Sequence, residues 1–185
     1  MAPTARNRLR IVGGEWRSRV LTFPDALGLR PTPDRVRETL FNWLGQDLTG
    51  KRCLDLYAGS GALGFEALSR GASHVDMVER ARPVVAALQR SAAALQAGAR
   101  LRIVHGDALE FLRPGQQNYD VVFLDPPYDS DLLGPALRAL PVHLADDARI
   151  YVESATSVAF EPPWEVLKSG RAGAAHYYLL RLGSS

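Results

Sequence analysis

Short apolar runs alternate with longer helical stretches along most of the chain. The apolar runs fall at residues 53–58, 74–79, 101–104, 121–124 and 148–153. They are of the kind that a strand buried on both faces shows. Strands that alternate with helices predict an α/β fold around a mostly parallel sheet.

The two ends of the chain predict β-hairpins. Residues 164–168 and 176–182 are joined by a short segment with two glycines, which requires an antiparallel pair. Near the N-terminus, residues 6–22 alternate arginine with apolar residues on both sides of Gly13-Gly14. Two period-2 runs around a glycine pair also predict a hairpin.

A helix is predicted between the N-terminal hairpin and the first buried strand. It spans 33–44, with Thr32 as the N-cap and Pro33 at the first helical position. A chain of 185 residues is large enough for one domain with a substantial core. We therefore expect a basic N-terminal extension at 1–28 and a main domain at 29–185.

The composition argues against several classes of protein. No apolar run approaches the roughly 20 residues of a membrane span, and the N-terminus lacks the apolar segment of a secretory signal. The single cysteine, Cys53, excludes an intrachain disulfide and fits a reducing cytoplasm. One cysteine and four scattered histidines give no metal-ligand spacing. We expect a cytoplasmic protein without a membrane segment or a metal site.

Positive charge is concentrated near the N-terminus. Residues 1–37 hold eight arginines against three acidic residues, a net +5 in a chain whose total is +2, so the remainder carries −3. A basic end beside a mildly acidic body predicts a surface that faces nucleic acid. Phosphate contacts and base stacking favour RNA binding by Arg6, Arg8, Arg10, Trp16, Arg17 and Arg19. A merely solvated hairpin face is the alternative.

A carboxylate, two prolines and an aromatic ring follow the run at 121–124. Prolines cannot continue a central strand, so Asp125-Pro126-Pro127-Tyr128 lies at the carboxyl end of the strand, where ligands of open α/β sheets bind. Asp125 and the carbonyl between the prolines can accept the two hydrogens of an exocyclic amino group, and Tyr128 offers a stacking face. The alternative is a proline turn with a surface tyrosine.

A glycine loop, Gly59-Ser-Gly-Ala-Leu-Gly64, joins the strand at 53–58 to a helix. Its glycines let the backbone approach a ligand, and the helix N-terminus favours negative charge. Taken alone, this pattern could equally indicate NAD binding.

The combination of these motifs resembles a known family. Asp55 with the glycine loop resembles the S-adenosylmethionine loop, and Asp125 to Tyr128 resembles the signature of amino-group methyltransferases. The arginine-rich start and the Arg30-Pro-Thr segment resemble the bacterial RsmD-type family, which methylates a guanine N2 amino group in 16S ribosomal RNA. That family usually has a small hydroxylic residue where Pro33 stands.

The resemblance implies a fold and a cofactor. The fold is a Rossmann-like class I methyltransferase, a seven-stranded, mostly parallel sheet with a C-terminal antiparallel hairpin and an N-terminal β-hairpin extension. S-adenosyl-L-methionine is the implied cofactor. The cofactor-binding residues would be Asp55, Tyr57, Ala58, Gly59, Ser60, Gly61, Glu79, Arg80, Asp107, Ala108 and Asp125. The catalytic residues would be Asp125, Pro126, Pro127 and Tyr128.

Two of the cofactor residues carry more specific expectations. Glu79 ends the second strand, where a carboxylate can take both ribose hydroxyls. Asp107 resembles the acid that binds the adenine amino group, and it also suits the N-cap of a helix at 109–112.

The implied reaction is direct displacement, in which the guanine nitrogen attacks the sulfonium methyl group. The implied partner is 16S ribosomal RNA, within a small-subunit assembly intermediate, and the protein is expected to be a monomer. An amino methyltransferase for DNA adenine or cytosine, or for another RNA, is the alternative enzyme. A non-catalytic RNA-binding factor and an NAD-dependent dehydrogenase are alternatives from other classes.

Overall fold

The helices and strands come from a computed structural model, which describes residues 7–25, 29, 32–113, 115 and 117–184. In chain order the elements are β1 Asn7–Arg10, β2 Val20–Phe23, α1 Asp34–Leu44, β3 Arg52–Asp55, α2 Ala62–Ser69, β4 His74–Glu79, α3 Arg82–Ala94, β5 Leu101–His105, α4 Ala108–Phe111, β6 Tyr119–Leu124, α5 Leu133–Ala139, β7 Leu144–Ser154, β8 Trp164–Ala172 and β9 Ala175–Leu182. No helix among these residues is long and apolar enough to cross a membrane.

The main sheet has seven strands in the order β5-β4-β3-β6-β7-β9-β8. Strands β3 to β7 pair in parallel, and β9 is antiparallel to both of its neighbours. The chain moves from β3 out to β5 and then returns to place β6 on the other side of β3. The carboxyl ends of β3 and β6 therefore meet where the winding reverses, which is where such sheets bind ligands. The predicted fold is confirmed.

Apolar side chains alternate between the two faces of the sheet. One face packs against α1, α2 and α3 through residues such as Phe41, Phe65 and Leu88. The other packs against α4 and α5 through residues such as Leu112 and Leu140. Burial of each such side chain contributes about 1.5–3 kcal/mol to stability. The parallel strands are covered on both faces, so their apolar runs are nearly continuous.

The N-terminal hairpin is present as a separate two-stranded sheet that shares the main core. Leu9 pairs with Leu21, and both pack beneath the hairpin with the α1–α3 layer. The connection between the strands is longer than the sequence predicted. A Cβ at Gly14 would lie 1.9 Å from the Ser69 carbonyl oxygen, at a φ of +78°. Gly14 is required for close packing on the end of α2 rather than for a tight turn.

The start of α1 also differs from the prediction. The helix begins at Asp34, with Pro33 in the N-cap position and no side-chain cap. Thr32 is buried, and its carbonyl oxygen accepts a hydrogen bond from Arg37 Nε at 3.3 Å. The proline is extended, with ψ near 145°, so the first helical residue moves one position along the chain.

Candidate active site

The glycine loop leaves β3 and turns sharply into α2. Gly59 and Gly61 have φ of +53° and +81°, a region that favours glycine. A Cβ at Gly61 would lie 2.5 Å from the ring of Phe65. The amide of Gly61 donates to the Ala58 carbonyl oxygen at 2.8 Å, which closes the turn. The loop brings its backbone to the carboxyl edge of the sheet, beside the end of β6.

Glu79 lies at the end of β4 and is tied to the loop. Its Oε2 accepts from the Gly59 amide at 3.0 Å, and its Oε1 accepts from the Ala81 amide at 2.8 Å. Each carboxylate oxygen can accept a second hydrogen bond. Glu79 is thus held by two backbone amides, and both of its oxygens can still accept from a ligand.

Asp107 has the N-cap role that the sequence offered as one of two possibilities. Its Oδ1 accepts from the amides of Leu109 and Glu110 at 2.9 and 3.0 Å. Both bonds use the same oxygen, so Oδ2 can still accept from a ligand. The capping role therefore leaves the predicted adenine contact chemically open.

Tyr57 presents a buried hydroxyl group without a hydrogen-bond partner among the described residues. Burial, followed by the negative charge of Asp107, raises the pKa of Tyr57 to about 12. The phenol is therefore a neutral donor, and a buried unpaired donor costs stability until a ligand accepts from it.

The remaining predicted cofactor residues differ in their exposure. Ala58, Ser60 and Ala108 are buried, whereas Arg80 is exposed and its carbonyl oxygen lies 3.1 Å from His105 Nε2. Ser60 Oγ lies 3.4 Å from the Ala62 amide. The Arg80 backbone thus contacts the last residue of β5.

Asp55 is a buried carboxylate directly behind the glycine loop. Its Oδ2 accepts from the Gly64 amide, in the first turn of α2, at 3.0 Å. The pKa of Asp55 is raised to about 7. Burial is the main cause, the hydrogen bond from Gly64 opposes it, and the charge of Glu79 adds to it. The pyrophosphate of a dinucleotide would meet like charge here, whereas a cationic ligand would stabilise the carboxylate.

The acids and the orphaned phenol fit S-adenosylmethionine. Asp55 suits its cationic amino-acid end, Glu79 its ribose hydroxyls and Asp107 its adenine amino group. The fit rests on the donors and acceptors that these side chains offer. Within the described ranges, no group of three or more histidine, cysteine or acidic side chains is arranged to hold a metal ion.

Asp125 and the prolines leave the end of β6 beside this pocket. Burial, then the charges of Glu153 and Asp55, raise the pKa of Asp125 well above its usual range. The Pro127 carbonyl oxygen accepts from the Ser130 amide at 3.2 Å, which fixes the turn. No hydrogen bond within the described part of the chain uses the carbonyl between the prolines, so it can accept from a substrate.

Glu153 is a site residue that the sequence analysis missed. It is the penultimate residue of β7 and is 6% exposed. Its Oε1 accepts from the hydroxyl of Tyr128 at 2.7 Å, and its Oε2 accepts from the hydroxyl of Tyr151 at 3.1 Å. The available signal was an acidic residue at the end of an apolar run, the same signal that identified Glu79.

The predicted RNA-binding arginines are exposed where the structure describes them. Arg8 and Arg10 lie on the outer face of β1, whereas Arg17 and Arg19 lie in the connection to β2. Arg19 donates to the Ala94 carbonyl oxygen at 3.0 Å, and Arg10 lies 3.5 Å from an Asp34 carboxylate oxygen. Arg6 lies outside the described residues.

Trp16 does not have the position that base stacking requires. It is 5% exposed and belongs to the core, and its amide donates to Ser69 Oγ at 2.9 Å. The Arg100 guanidinium lies 5.3 Å from the ring centre. The prediction of a stacking tryptophan was wrong, because this ring fills the space between the hairpin connection and the end of α2.

A buried ion-pair network joins the hairpin to α1 and α2. Glu66 is fully buried and accepts from the amides of Val12 and Gly13 at 3.0 and 2.8 Å. It also pairs with Arg37 at 3.2 Å and Arg70 at 3.0 Å. Arg37, one of the eight arginines within residues 1–37, is therefore a structural residue.

Comparisons with known proteins identify the family. A family model described as "Conserved hypothetical protein 95" matches residues 9–181. Ribosomal RNA small subunit methyltransferase D of Escherichia coli K12 is 48% identical over 149 residues, which cover 80% of this chain and 75% of that protein. The Haemophilus influenzae protein of the same name is 40% identical over 184 residues, covering 96% and 95%.

Solved structures have the same fold. The Escherichia coli protein yhhF, described as a candidate methyltransferase, superposes with a TM-score of 0.87 at 40% identity, over 97% of this chain and 100% of that one. A Geobacter sulfurreducens methyltransferase, only 18% identical, has a TM-score of 0.65 over 82% and 80%, a likeness of fold alone. The chain belongs to the family described as Conserved hypothetical protein 95 and is an S-adenosylmethionine-dependent methyltransferase.

Proposed function

We propose that this enzyme transfers a methyl group to the exocyclic N2 amino group of a guanine in 16S ribosomal RNA. The arrangement that carries the proposal is the Asp125 carboxylate and the carbonyl between the prolines, beside the glycine loop. Both groups are acceptors, and an exocyclic amino group offers two hydrogens to accept. The small-subunit ribosomal RNA named for the relatives supports the choice of substrate.

The chain holds its methyl donor at the carboxyl ends of β3, β4 and β5. We assign the amino-acid end to Asp55 and the loop, the ribose to Glu79, and the adenine to Asp107. When bound, S-adenosylmethionine supplies an electrophilic methyl group on a positively charged sulfur atom.

Asp125 and the Pro126 carbonyl orient the amino nitrogen of the base. Its lone pair is delocalised into the ring, so the nitrogen is a weak nucleophile until its two hydrogens are held and the lone pair points at the methyl group. Orientation of this kind is worth roughly 7–11 kcal/mol of barrier. The Tyr128 ring holds the plane of the base.

The proton balance follows from the same groups. The bond between CH3 and the amino nitrogen would form as the bond between CH3 and sulfur breaks, so the leaving group departs with a neutral sulfur and the nitrogen gains a fourth bond and a positive charge. The negative charge of Asp125 stabilises this charge as it develops. Loss of one N–H proton, to Asp125 or to water, then gives the neutral methylated base.

The hairpin arginines bind the RNA backbone in this proposal. Arg8 and Arg10 on β1, with Arg17 and Arg19 in the connection, make phosphate contacts that carry no sequence information. The target base must leave its stack to reach Asp125, which favours a loop or an unfinished assembly intermediate. A ribosomal substrate also implies a cytoplasmic enzyme.

Transfer of labelled methyl groups tests the proposal. Purified enzyme is incubated with protein-free 16S ribosomal RNA, partially assembled particles and complete small subunits. Nuclease digestion and mass spectrometry should identify N2-methylguanosine, with the highest yield from one of the incomplete substrates. Label in adenine or cytosine, in RNA or in DNA, would contradict the proposal.

A further inference from the structure

Glu153 lies next to Asp125 because their strands are paired in parallel. Leu124 of β6 is in register with Val152 of β7, so the two acids leave the sheet side by side. No ion pair reaches Glu153 within the part of the chain that the structure describes. Both of its oxygens are instead held by the hydroxyl groups of Tyr128 and Tyr151.

Glu153 is a buried acid whose hydrogen-bond partners are two phenols. A buried carboxylate without a cation loses hydration that two phenols only partly replace. A second and a third carboxylate, Asp125 and Asp55, add like-charge repulsion. Closely spaced acids without a cationic partner are candidates for a functional site.

Glu153 also fixes one end of the base-binding turn. Its Oε1 holds the hydroxyl of Tyr128 at 2.7 Å, while Ser130 holds the carbonyl of Pro127. The Tyr128 ring is therefore held at its hydroxyl group by Glu153 and at its backbone by the turn. A ring held in this way need not be ordered when the base enters, which lowers the cost of binding.

We propose that Glu153 is a positioning residue for methyl transfer: it holds the Tyr128 ring as one wall of the base-binding site and places a second acidic side chain beside Asp125. The inference deepens the proposed function and depends on it for the identity of the base. The interaction between Glu153 and Asp125 is present without substrate and does not depend on which base is methylated.

The groups around Asp125 fix the direction of the expected change. Glu153 faces it from β7 and Asp55 from β3, and both raise the pKa of Asp125 beyond the effect of burial. Burial, followed by the charges of Glu153 and Asp125, raises the pKa of Tyr151, which remains a neutral donor. Removal of the Glu153 charge therefore lowers the pH at which Asp125 ionises.

Glu153→Gln separates charge from shape. Glutamine keeps an acceptor for Tyr128 but carries no charge. Asp125 is followed by carbon-13 NMR of labelled aspartate in the ligand-free protein, with the signal assigned from Asp125→Asn. We expect the midpoint of the Asp125 titration to fall by about one pH unit or more relative to the wild type. The acid limb of the kcat profile should move in the same direction, while the KM for RNA stays within about twofold.

Glu153→Leu and Tyr128→Phe test the anchor. The leucine variant loses both charge and acceptor, and its kcat/KM should fall by about 100-fold. Tyr128→Phe keeps the ring and the Glu153 charge but loses the hydroxyl group that Glu153 holds. The KM for RNA should therefore rise, while the midpoint of the Asp125 titration stays near that of the wild type. The double variant should lose much less than the product of the two single losses.

Glu165→Gln is the matched control. It is the same substitution at an exposed glutamate on β8, paired with Arg181 at 2.8 Å and far from the carboxyl edge. In this variant the midpoint of the Asp125 titration, the pH profile of kcat and the KM for RNA should equal those of the wild type. An unchanged Asp125 midpoint and an unchanged kcat profile in Glu153→Gln would overturn the inference. Absence of guanine methylation by the wild type would instead overturn the proposed function, because the NMR titration needs no substrate.

Discussion

Two clusters around acidic side chains differ in what surrounds the acids. Glu66 lies between α1 and α2 among two arginines and two backbone amides. Asp55, Asp125 and Glu153 lie at the carboxyl edge of the sheet, and no arginine, lysine or histidine forms an ion pair with them among the described residues. The first cluster is complete within the chain. The second needs a positively charged or N–H-bearing ligand to complete it.

Asp76 shows that the fold can pair an acid in the sheet when no ligand is involved. It lies on β4, where Arg102 approaches at 2.7 Å and Tyr119 donates at 2.5 Å. Burial raises the pKa of Asp76, but hydrogen bonds from Arg102, Tyr119 and His74 lower it by more. The absence of a cationic partner such as Arg102 at the carboxyl edge, among the residues that the structure describes, is therefore a local property suited to a cationic methyl donor.

Asp125→Ala should have the largest effect on catalysis. Loss of the carboxylate that orients the amino group should reduce methyl transfer by at least about 1,000-fold. The fold should remain, with S-adenosylmethionine binding retained at least in part. Single-turnover transfer and calorimetric binding measure the two effects. Asp129→Ala, an exposed acid four positions on, is the control, and near wild-type turnover in Asp125→Ala would refute the assigned role.

Glu66→Ala should have the largest effect on stability. It leaves Arg37 and Arg70 without their buried partner and two amides without an acceptor, at a cost of about 3–5 kcal/mol. Denaturant unfolding measures the loss of free energy. Cofactor affinity per folded molecule should stay near that of the wild type, since the Glu66 cluster is separate from the loop. A loss below about 1 kcal/mol would mean that the network contributes little.

Asp55→Asn should change the pH dependence of stability. The folded pKa near 7 lies above the ordinary value of 3.8, so the native state holds this proton more tightly than the unfolded chain does. Stability from this group is present below about pH 4 and is lost as the pH rises toward 7. The asparagine variant lacks this loss, and without ligand it should exceed the wild type at pH 8 by on the order of 2–4 kcal/mol.

The stability of Asp55→Asn is compared with the wild type by denaturant unfolding at pH 5 and pH 8. The variant should bind S-adenosylmethionine more weakly, although its fold is more stable at pH 8. Equal stability differences at the two pH values would contradict a raised pKa at Asp55.

Replacement of the hairpin arginines should have a smaller effect that depends on salt. Alanine at Arg8, Arg10, Arg17 and Arg19 should weaken RNA binding and reduce the slope of log affinity against log salt. The reduction should be about 0.7–0.9 for each phosphate that an arginine no longer neutralises. Titration at several salt concentrations measures the slope. Unchanged affinity and slope would identify the hairpin as a solvated face.

The fold and the glycine loop could be predicted because their signals are local. Apolar runs, the Gly59–Gly61 turn and the Asp125-Pro-Pro-Tyr segment each lie within a few residues. Glu153 was missed because its proximity to Asp125 depends on the order of the strands, not on the sequence between them. The Glu66 network likewise joins residues that are far apart in the chain.

Trp16 shows the limit of a compositional signal. An aromatic residue among arginines has the same pattern whether its ring faces RNA or the core. The packing of the hairpin connection on α2 determines which way the Trp16 ring faces, because Gly14 allows the backbone there to approach Ser69. That contact is tertiary, and no pattern near Trp16 reports it.

The central claim is that the acids at the carboxyl edge, Asp55, Asp125 and Glu153, bind a cationic ligand. The number of protons released on ligand binding tests this claim most directly. Calorimetry near neutral pH in buffers of different ionisation enthalpy gives the number of protons released when S-adenosylmethionine binds. S-adenosylhomocysteine has the same amino-acid end but no charge on sulfur, so the difference isolates the sulfonium. The account predicts that S-adenosylmethionine releases more protons, because its charge ionises the nearby carboxyl groups. Equal release by both ligands would contradict it.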